Sequence, residues 1–459
     1  MTKALFFFLM TLLSATAGAR IVLPAEFNSH MVLQRNSATR FRGWGNPGEK
    51  IIITPSWSNK PDSVKVNNDG KWMLSIPTPG AGGPYTITFR GENTIELTDI
   101  LIGEVWICSG QSNMEYNYYW GLPDMTPELP SIANNNIRFF NIPRTSAYHP
   151  QEDVKAQWTV CDSNTVKSFS AVGYYFGRRL NQELNVPIGL INASWGGSPA
   201  EAWTPAELVN GDPVLKAAAL QQPATEGWPI IPGYTFNGMI NPITDVDIAG
   251  AIWYQGESNT TVPKEYDKLL KIMIDAWRKE WKKDFPFYLV QIAPFNYNEP
   301  NQGALLREAQ VRVLQHPNTG MVVTTDIAGD VSDIHPKNKR DVGLRLANLA
   351  LEKTYQKNIP AQTPLYKSME VVKGKAWISF DHVYTDLMIK GRTLNEIYIA
   401  GADRIFHPAR ATITDKKLVV WSKEVKQPVA VRFGFSNAGV GNLFSKEGLP
   451  VSPFRTDDW

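Results

Sequence analysis

The string Gly110-Gln111-Ser112-Asn113-Met114 follows, after the single residue Ser109, on the apolar run ILIGEVWIC. Apolar runs of this kind are strands buried on both faces of a parallel sheet, and ligands meet such a sheet at the carboxyl ends of its strands. A serine placed there, beside a glycine that lets a substrate approach the backbone, can attack a carbonyl carbon if a base accepts its proton. Six histidines are available. His30, His382 and His407 lie in β-rich flanks, His149 in a proline-rich loop and His316 at a helix end. Only His335 follows another of the apolar strands, in TTDIAGDVSDIHPKNK, a segment that also carries Asp326, Asp330 and Asp333. Any of the three carboxylates could hold the imidazole in its productive tautomer.

Two further strand-end loops offer groups for a developing negative charge. SWGGSPAEAW contains the pair Gly196-Gly197, whose backbone N–H groups could face an oxyanion. WYQGESN sets Gln255, Glu257 and Asn259 around Gly256, and a side-chain amide is a recognised oxyanion donor. Each loop alone also reads as an ordinary tight turn. GQSNM is not the G-x-S-x-G elbow of α/β-hydrolases, since Met114 stands in place of the second glycine. Nucleophile, base and donors together give the pieces of a triad.

These loops need a rigid frame. Runs similar to the first recur at VPIGLINAS, IAGAIWYQG, FPFYLVQIA and GMVVTTDIA. Between them AVGYYFGRRLNQEL, EYDKLLKIMIDAWRKEWKK, ALLREAQVRVLQH and VGLRLANLALEK place apolar residues at three- and four-residue intervals. Alternating strand and helix predicts a doubly wound α/β domain over residues 99–357. Short β-like runs before and after it predict a β-sandwich or jelly-roll module at 20–98 and a β region at 358–459 packed on the α/β domain. No fixed-period repeat or low-complexity tract is present.

Residues 1–19 have the form of a secretion signal: Lys3, the apolar stretch ALFFFLMTLL, and Ala17-Gly18-Ala19 before a cleavage point near Ala19. No stretch approaches the roughly 18 apolar residues of a membrane span, so the mature chain is expected to be exported, either to a periplasm or outside the cell. Lys plus Arg number 46 against 44 Asp plus Glu, a formal charge of +2 with no basic block, which argues against nucleic-acid and anionic-membrane partners. The two cysteines, Cys108 and Cys161, exclude a disulfide-built scaffold or a multi-cysteine zinc site and leave their own pairing open. The sequons at Asn192 and Asn259 fall inside the candidate site loops and are read as chance matches.

The four loop motifs resemble the signature blocks of the SGNH hydrolase superfamily, and the chain from LPAEFNSHMVLQR through GEVWICSGQSNME, SWGGSPAEAW, WYQGESN and DIHPKNK to GNLFSKEGLPVSPFRTDDW is similar to the sialate O-acetylesterase family. The resemblance implies a flavodoxin-like SGNH catalytic domain without metal or cofactor, hydrolysing O-acetyl esters of sialic acid or of other sugars. It assigns Ser112 as nucleophile and His335 as base, with the Ser112 N–H, Gly197 and the Gln255 amide as oxyanion donors; Gly196 and Asn259 are the alternatives. Two departures stand out. The third block reads GESN rather than GxND, and Ser332 occupies the position three before the histidine, so Asp333 either completes a triad or leaves a dyad. Trp203, Trp228, Tyr116 and Glu257 are expected to meet the sugar, and the Thr204–Pro242 stretch to cap the site. An acetylxylan esterase and, more distantly, a non-catalytic carbohydrate-binding protein are the competing expectations; the assembly state is not written in the sequence.

Overall fold

The computed structural model describes residues 20–459; the expected signal segment lies outside the described residues. Seven strands form the central sheet, labelled here β1 (Thr94–Gly110), β2 (Asn134–Asn141), β3 (Trp158–Cys161), β4 (Ile188–Ser194), β5 (Gly250–Tyr254), β6 (Phe287–Val290) and β7 (Thr319–Val322). Their order is β7-β6-β5-β1-β4-β2-β3. All neighbours run parallel except the edge pair β2 and β3. The chain turns back on itself at β1, which lies between β4 and β5, and in such sheets the reversal of strand order opens a crevice at the carboxyl edge. Ser112 sits two residues beyond β1.

Burial on both faces explains why the strands read as unbroken apolar runs. Along β1, Val105 and Ile107 enter one core while Trp106 and Cys108 enter the other, and along β5 Ala251 and Trp253 oppose Ile252 and Tyr254 in the same way. Helices α1 (Ala171–Leu184) and α4 (Lys339–Lys353) cover one face through residues such as Phe176, Leu180, Leu346 and Ala350. Helices α2 (Tyr266–Trp281) and α3 (Gln302–Val313) cover the other through Leu270, Ile274, Trp277, Leu306 and Val313. Local chemistry sets the helix ends. The Ser170 hydroxyl accepts from Gly173 N–H at 3.1 Å to cap α1, and Asn338 accepts from Asp341 N–H at 3.0 Å to cap α4. The second cap fixes where α4 starts, four residues after His335.

Antiparallel strands precede and follow this core. β1 continues straight from the amino-terminal sheet, where it pairs with Gly82–Arg90, into the central sheet, so no linker lets one move against the other. Beyond α4 two four-stranded sheets and a two-stranded pair enclose a third core around Ile378, Ile399, Val420 and Phe433. This region is keyed to α3: the fully buried Arg307 guanidinium donates to the carbonyls of Ser436 and Asn437, and Arg455 pairs with Glu308 at 2.7 Å. Cys108 and Cys161 are free thiols, both buried, and burial pushes the Cys161 thiol up to about 12. No helix among the described residues is long and apolar enough to cross a membrane.

Candidate active site

A tight strand exit brings the serine to the cleft. Gly110 adopts φ +132°, and a Cβ there would lie 2.2 Å from the Tyr254 carbonyl oxygen; only glycine lets β1 pass β5 so closely. Gln111 N–H donates to that same carbonyl at 3.0 Å, and its side-chain Oε1 accepts from Gly256 and Ser258 N–H at 3.2 Å each, tying the nucleophile turn to the WYQGESN loop. Ser112 then opens a single helical turn, Ser112–Glu115, at whose amino end its own N–H has no acceptor among the described residues.

His335 meets it from the loop after β7: Nε2 lies 2.9 Å from Ser112 Oγ, within hydrogen-bonding range. Residues 223 positions apart therefore converge. Burial and then the positive charge of Lys339 hold the His335 pKa below its ordinary value, against the pull of Asp333, so the ring is neutral and able to accept a proton at neutral pH.

Of the three carboxylates in that segment, Asp326 forms a paired bond with Arg345 at 2.6 and 2.7 Å, and Asp330 accepts from Ser332 N–H and its hydroxyl. Asp333 alone neighbours His335. Its Oδ1 accepts from the His335 backbone N–H at 2.9 Å but lies 3.7 Å from the ring Nδ1, and its Oδ2 is 3.5 Å from Lys337 Nζ. Burial works to raise the Asp333 carboxyl, and the His335 N–H and Lys337 outweigh it, leaving it below the usual range. A distance of 3.7 Å is too long for the bond that fixes a tautomer. Asp333→Asn is therefore expected to keep kcat within about tenfold of wild type, against the ~10⁴-fold loss when a triad acid is neutralised; steady-state hydrolysis of an aryl acetate measures it.

The Gly196-Gly197 loop packs on the nucleophile, with a Cβ at Gly196 falling 3.4 Å from Ser112 Cβ. Its two N–H groups are not equivalent. Gly196 N–H donates to Glu115 Oε2 at 2.8 Å, whereas Gly197 N–H, at φ +73°, has no partner among the described residues. The amides of the next loop are turned inward. Gln255, fully buried, donates to Asn259 Oδ1 at 2.7 Å and to Ser198 O at 3.3 Å, and Asn259 donates to Glu201 Oε2 at 2.8 Å while accepting from Ala200 N–H. Both brace the Gly-Gly loop from behind, and neither lines the cleft. The burial of Asn192 and Asn259 is also at odds with glycosylation.

The cleft is a cavity of about 430 Å³ whose walls include Trp120, Trp195 and Trp228, with Ser112, His335 and Glu257 on its floor. Trp228, 48% exposed, faces it as expected, and Gln222, Pro223 and Ile230 from the Thr204–Pro242 stretch close one side. Trp203 does not face it. That ring is fully buried, edge-on to Trp253 at 5.9 Å, with its N–H on Ser198 Oγ at 2.8 Å; the short 3-10 turn carrying it plugs the core beneath the Gly-Gly loop. Tyr116 is buried as well, its ring 6.0 Å from that of His335 and its hydroxyl accepting from Lys337 Nζ at 2.6 Å.

Beneath the pair lies a polar cluster of which the sequence singles out only Glu257. Lys339, 1% exposed in the first turn of α4, donates through Nζ to Asn113 Oδ1 at 2.5 Å and sits over the faces of Tyr116 and Tyr254 at 4.7 and 5.4 Å. Asn113 passes its own two donors to Glu257 Oε1 at 2.6 Å and to the Ile334 carbonyl at 3.1 Å. One buried amide thus joins the nucleophile turn, the histidine loop and the WYQGESN loop. Burial lowers Lys339 to about 7 and raises Glu257, each opposed by the other's charge. Asn113 stands in GQSNM, Glu257 in WYQGESN and Lys339 at the end of DIHPKNK, but nothing in these strings marks the lysine for burial beside the other two.

A neutral imidazole on a serine hydroxyl, at the carboxyl edge of a doubly wound sheet, is the machinery of an ester hydrolase, and the likenesses of the chain make it a carbohydrate esterase with the SGNH-type α/β fold. Residues 102–352 match the carbohydrate esterase family described as sialic acid-specific acetylesterase, and the chain belongs to that family. The sialate O-acetylesterases of Homo sapiens and Pongo abelii are each 30% identical to it over 424 residues, covering 83% of this chain and 80% of theirs. The crystal structure of a carbohydrate acetylesterase from Xanthomonas citri is 35% identical, with a TM-score of 0.88 over 96% of this chain and all of that one.

Proposed function

We propose that the protein is an exported esterase that removes O-acetyl groups from sialic acid, with Ser112 as nucleophile and His335 as base. The observation that carries the chemistry is the 2.9 Å approach of His335 Nε2 to Ser112 Oγ beside the N–H groups of Ser112 and Gly197, which have no acceptor among the described residues. His335 takes the hydroxyl proton as Ser112 Oγ adds to the acetyl carbonyl, and the two N–H groups receive the oxyanion. Collapse of the tetrahedral species expels the sugar oxygen, which His335 protonates, leaving acetyl-Ser112. Water, deprotonated by His335, then releases acetate and restores the serine. Gln255 and Asn259 serve this step by holding the Gly-Gly loop in place rather than by donating to the oxyanion, and Asp333 orients the His335 backbone while the Nδ1–H, which the ring keeps throughout, donates a hydrogen bond to solvent.

Sialic acid as substrate is supported by the named activity of the human and orangutan relatives; the tryptophan walls suit a sugar ring of any kind. Export rests on the Lys3, ALFFFLMTLL and Ala17-Gly18-Ala19 pattern. Acetate release from O-acetylated sialic acid and from acetylated xylan, measured side by side with the Ser112→Ala protein as blank, tests the reading. A kcat/KM higher for sialate by tenfold or more is expected; the reverse order assigns the site to plant polysaccharide.

A further inference from the structure

The cleft holds one permanently cationic side chain, and the catalytic steps do not use it. Arg144 lies on the cavity wall in the loop after β2, its side chain 48% exposed. Its other charged wall residue is Glu257, whose carboxyl burial drives toward the neutral form. Apart from His335 the remaining wall is uncharged: tryptophan, isoleucine, proline, glycine and neutral polar side chains.

Arg144 is aimed rather than loose. Its Nε donates to Glu115 Oε1 at 2.6 Å, and Glu115 is itself fixed by accepting from Gly196 N–H at 2.8 Å through Oε2. Glu115 closes the turn that Ser112 opens, so the guanidinium is registered, through one carboxylate, to both the nucleophile turn and the Gly-Gly loop. Both Glu115 oxygens are thereby committed, and the terminal nitrogens Nη1 and Nη2 have no partner among the described residues. A planar pair of N–H donors with a fixed stem is the geometry that receives a carboxylate bidentately.

We propose that Arg144 is a specificity-determining residue of this esterase: its free Nη1 and Nη2 edge binds the carboxylate of an acidic sugar while the acetyl group of the same sugar reaches Ser112. The inference rests on the sialic acid reading above and goes beyond it by naming the group that separates an anionic sugar from a neutral one. Neutral acetylated xylose has nothing to offer that edge except hydroxyls, which make weaker bonds to a guanidinium than a charged partner does.

The test compares two substrates that differ only in charge, an O-acetylated sialic acid as the free acid and the same compound as its methyl ester. Wild-type enzyme is expected to favour the free acid in kcat/KM by about 10- to 100-fold, the worth of a charge-assisted bond, with the difference carried by KM. Arg144→Gln should collapse that ratio toward one, Arg144→Lys should keep part of it, and added salt should shrink it in wild type but not in the glutamine variant. Because the readout is a ratio within each protein, a general loss of activity in a variant cancels. A ratio that survives Arg144→Gln overturns the role of Arg144 and leaves the sialate reading standing. A wild-type ratio near one also overturns the role of Arg144, and the sialate reading is then decided by the comparison with acetylated xylan.

Discussion

Ser112→Ala is expected to lower acetate release by about 10⁴-fold or more while leaving the thermal unfolding midpoint within a few degrees of wild type. The size follows from what is removed: without Oγ no acetyl-enzyme forms, and the residual rate is that of water attacking a carbonyl still held by the Ser112 and Gly197 N–H groups. The stability expectation follows from position. Among the described residues Oγ has His335 Nε2 as its only partner, at the edge of the cleft, so its loss leaves no buried polar group there unsatisfied. Single-turnover assays on an aryl acetate, which has no sugar to bind, isolate the chemical step. Turnover near wild type would remove the serine from the mechanism.

His335→Ala should cost nearly as much, and the double variant little more than either single one, because the two side chains act as one unit. The pH dependence carries the finer prediction. Only the neutral ring accepts a proton, so kcat/KM falls as pH drops through the His335 pKa. Burial and the Lys339 charge place that pKa below 6.5, and activity should therefore be on its plateau at neutral pH with its acid limb below the usual histidine range. Lys339→Met keeps the volume in the slot between Tyr116 and Tyr254 and deletes the charge. The limb should then move to higher pH, since a cation that disfavours imidazolium has gone. Lys339, lowered to about 7, is mostly charged through the pH range of that limb, so the shift is expressed there. A limb that stays put in the methionine variant would mean that Lys339 acts through packing alone.

Much of this was legible beforehand for definite reasons. The strands of the central sheet announce themselves because burial on both faces demands apolar residues without alternation, and α2 shows its Leu269, Met273 and Trp277 stripe because one face is covered and the other wet. The loops GQSNM and DIHPKNK were readable because a turn at a strand end must use glycine, asparagine or proline, which stand out from the runs they close. Trp203 and Trp228 show where such reading stops. Both lie in the segment after the Gly-Gly pair, and residue type offers no choice between them; Trp203 is drawn under the loop by Trp253 and Trp277, while Trp228 stays at the rim against Gly197.

The sequence by itself determined the doubly wound sheet, the strand ends at which chemistry occurs, and Ser112 and His335 as the pair to watch, because periodicity and turn chemistry are local properties of the chain. The tertiary structure alone decided how the donors are shared. It turned the Gln255 and Asn259 amides inward, paired Gly196 with Glu115, left the Gly197 N–H without a partner among the described residues, and set Lys339 and Asn113 beneath the histidine. Which of several equivalent polar groups faces a cleft depends on the partners that distant segments bring, and no spacing rule encodes those.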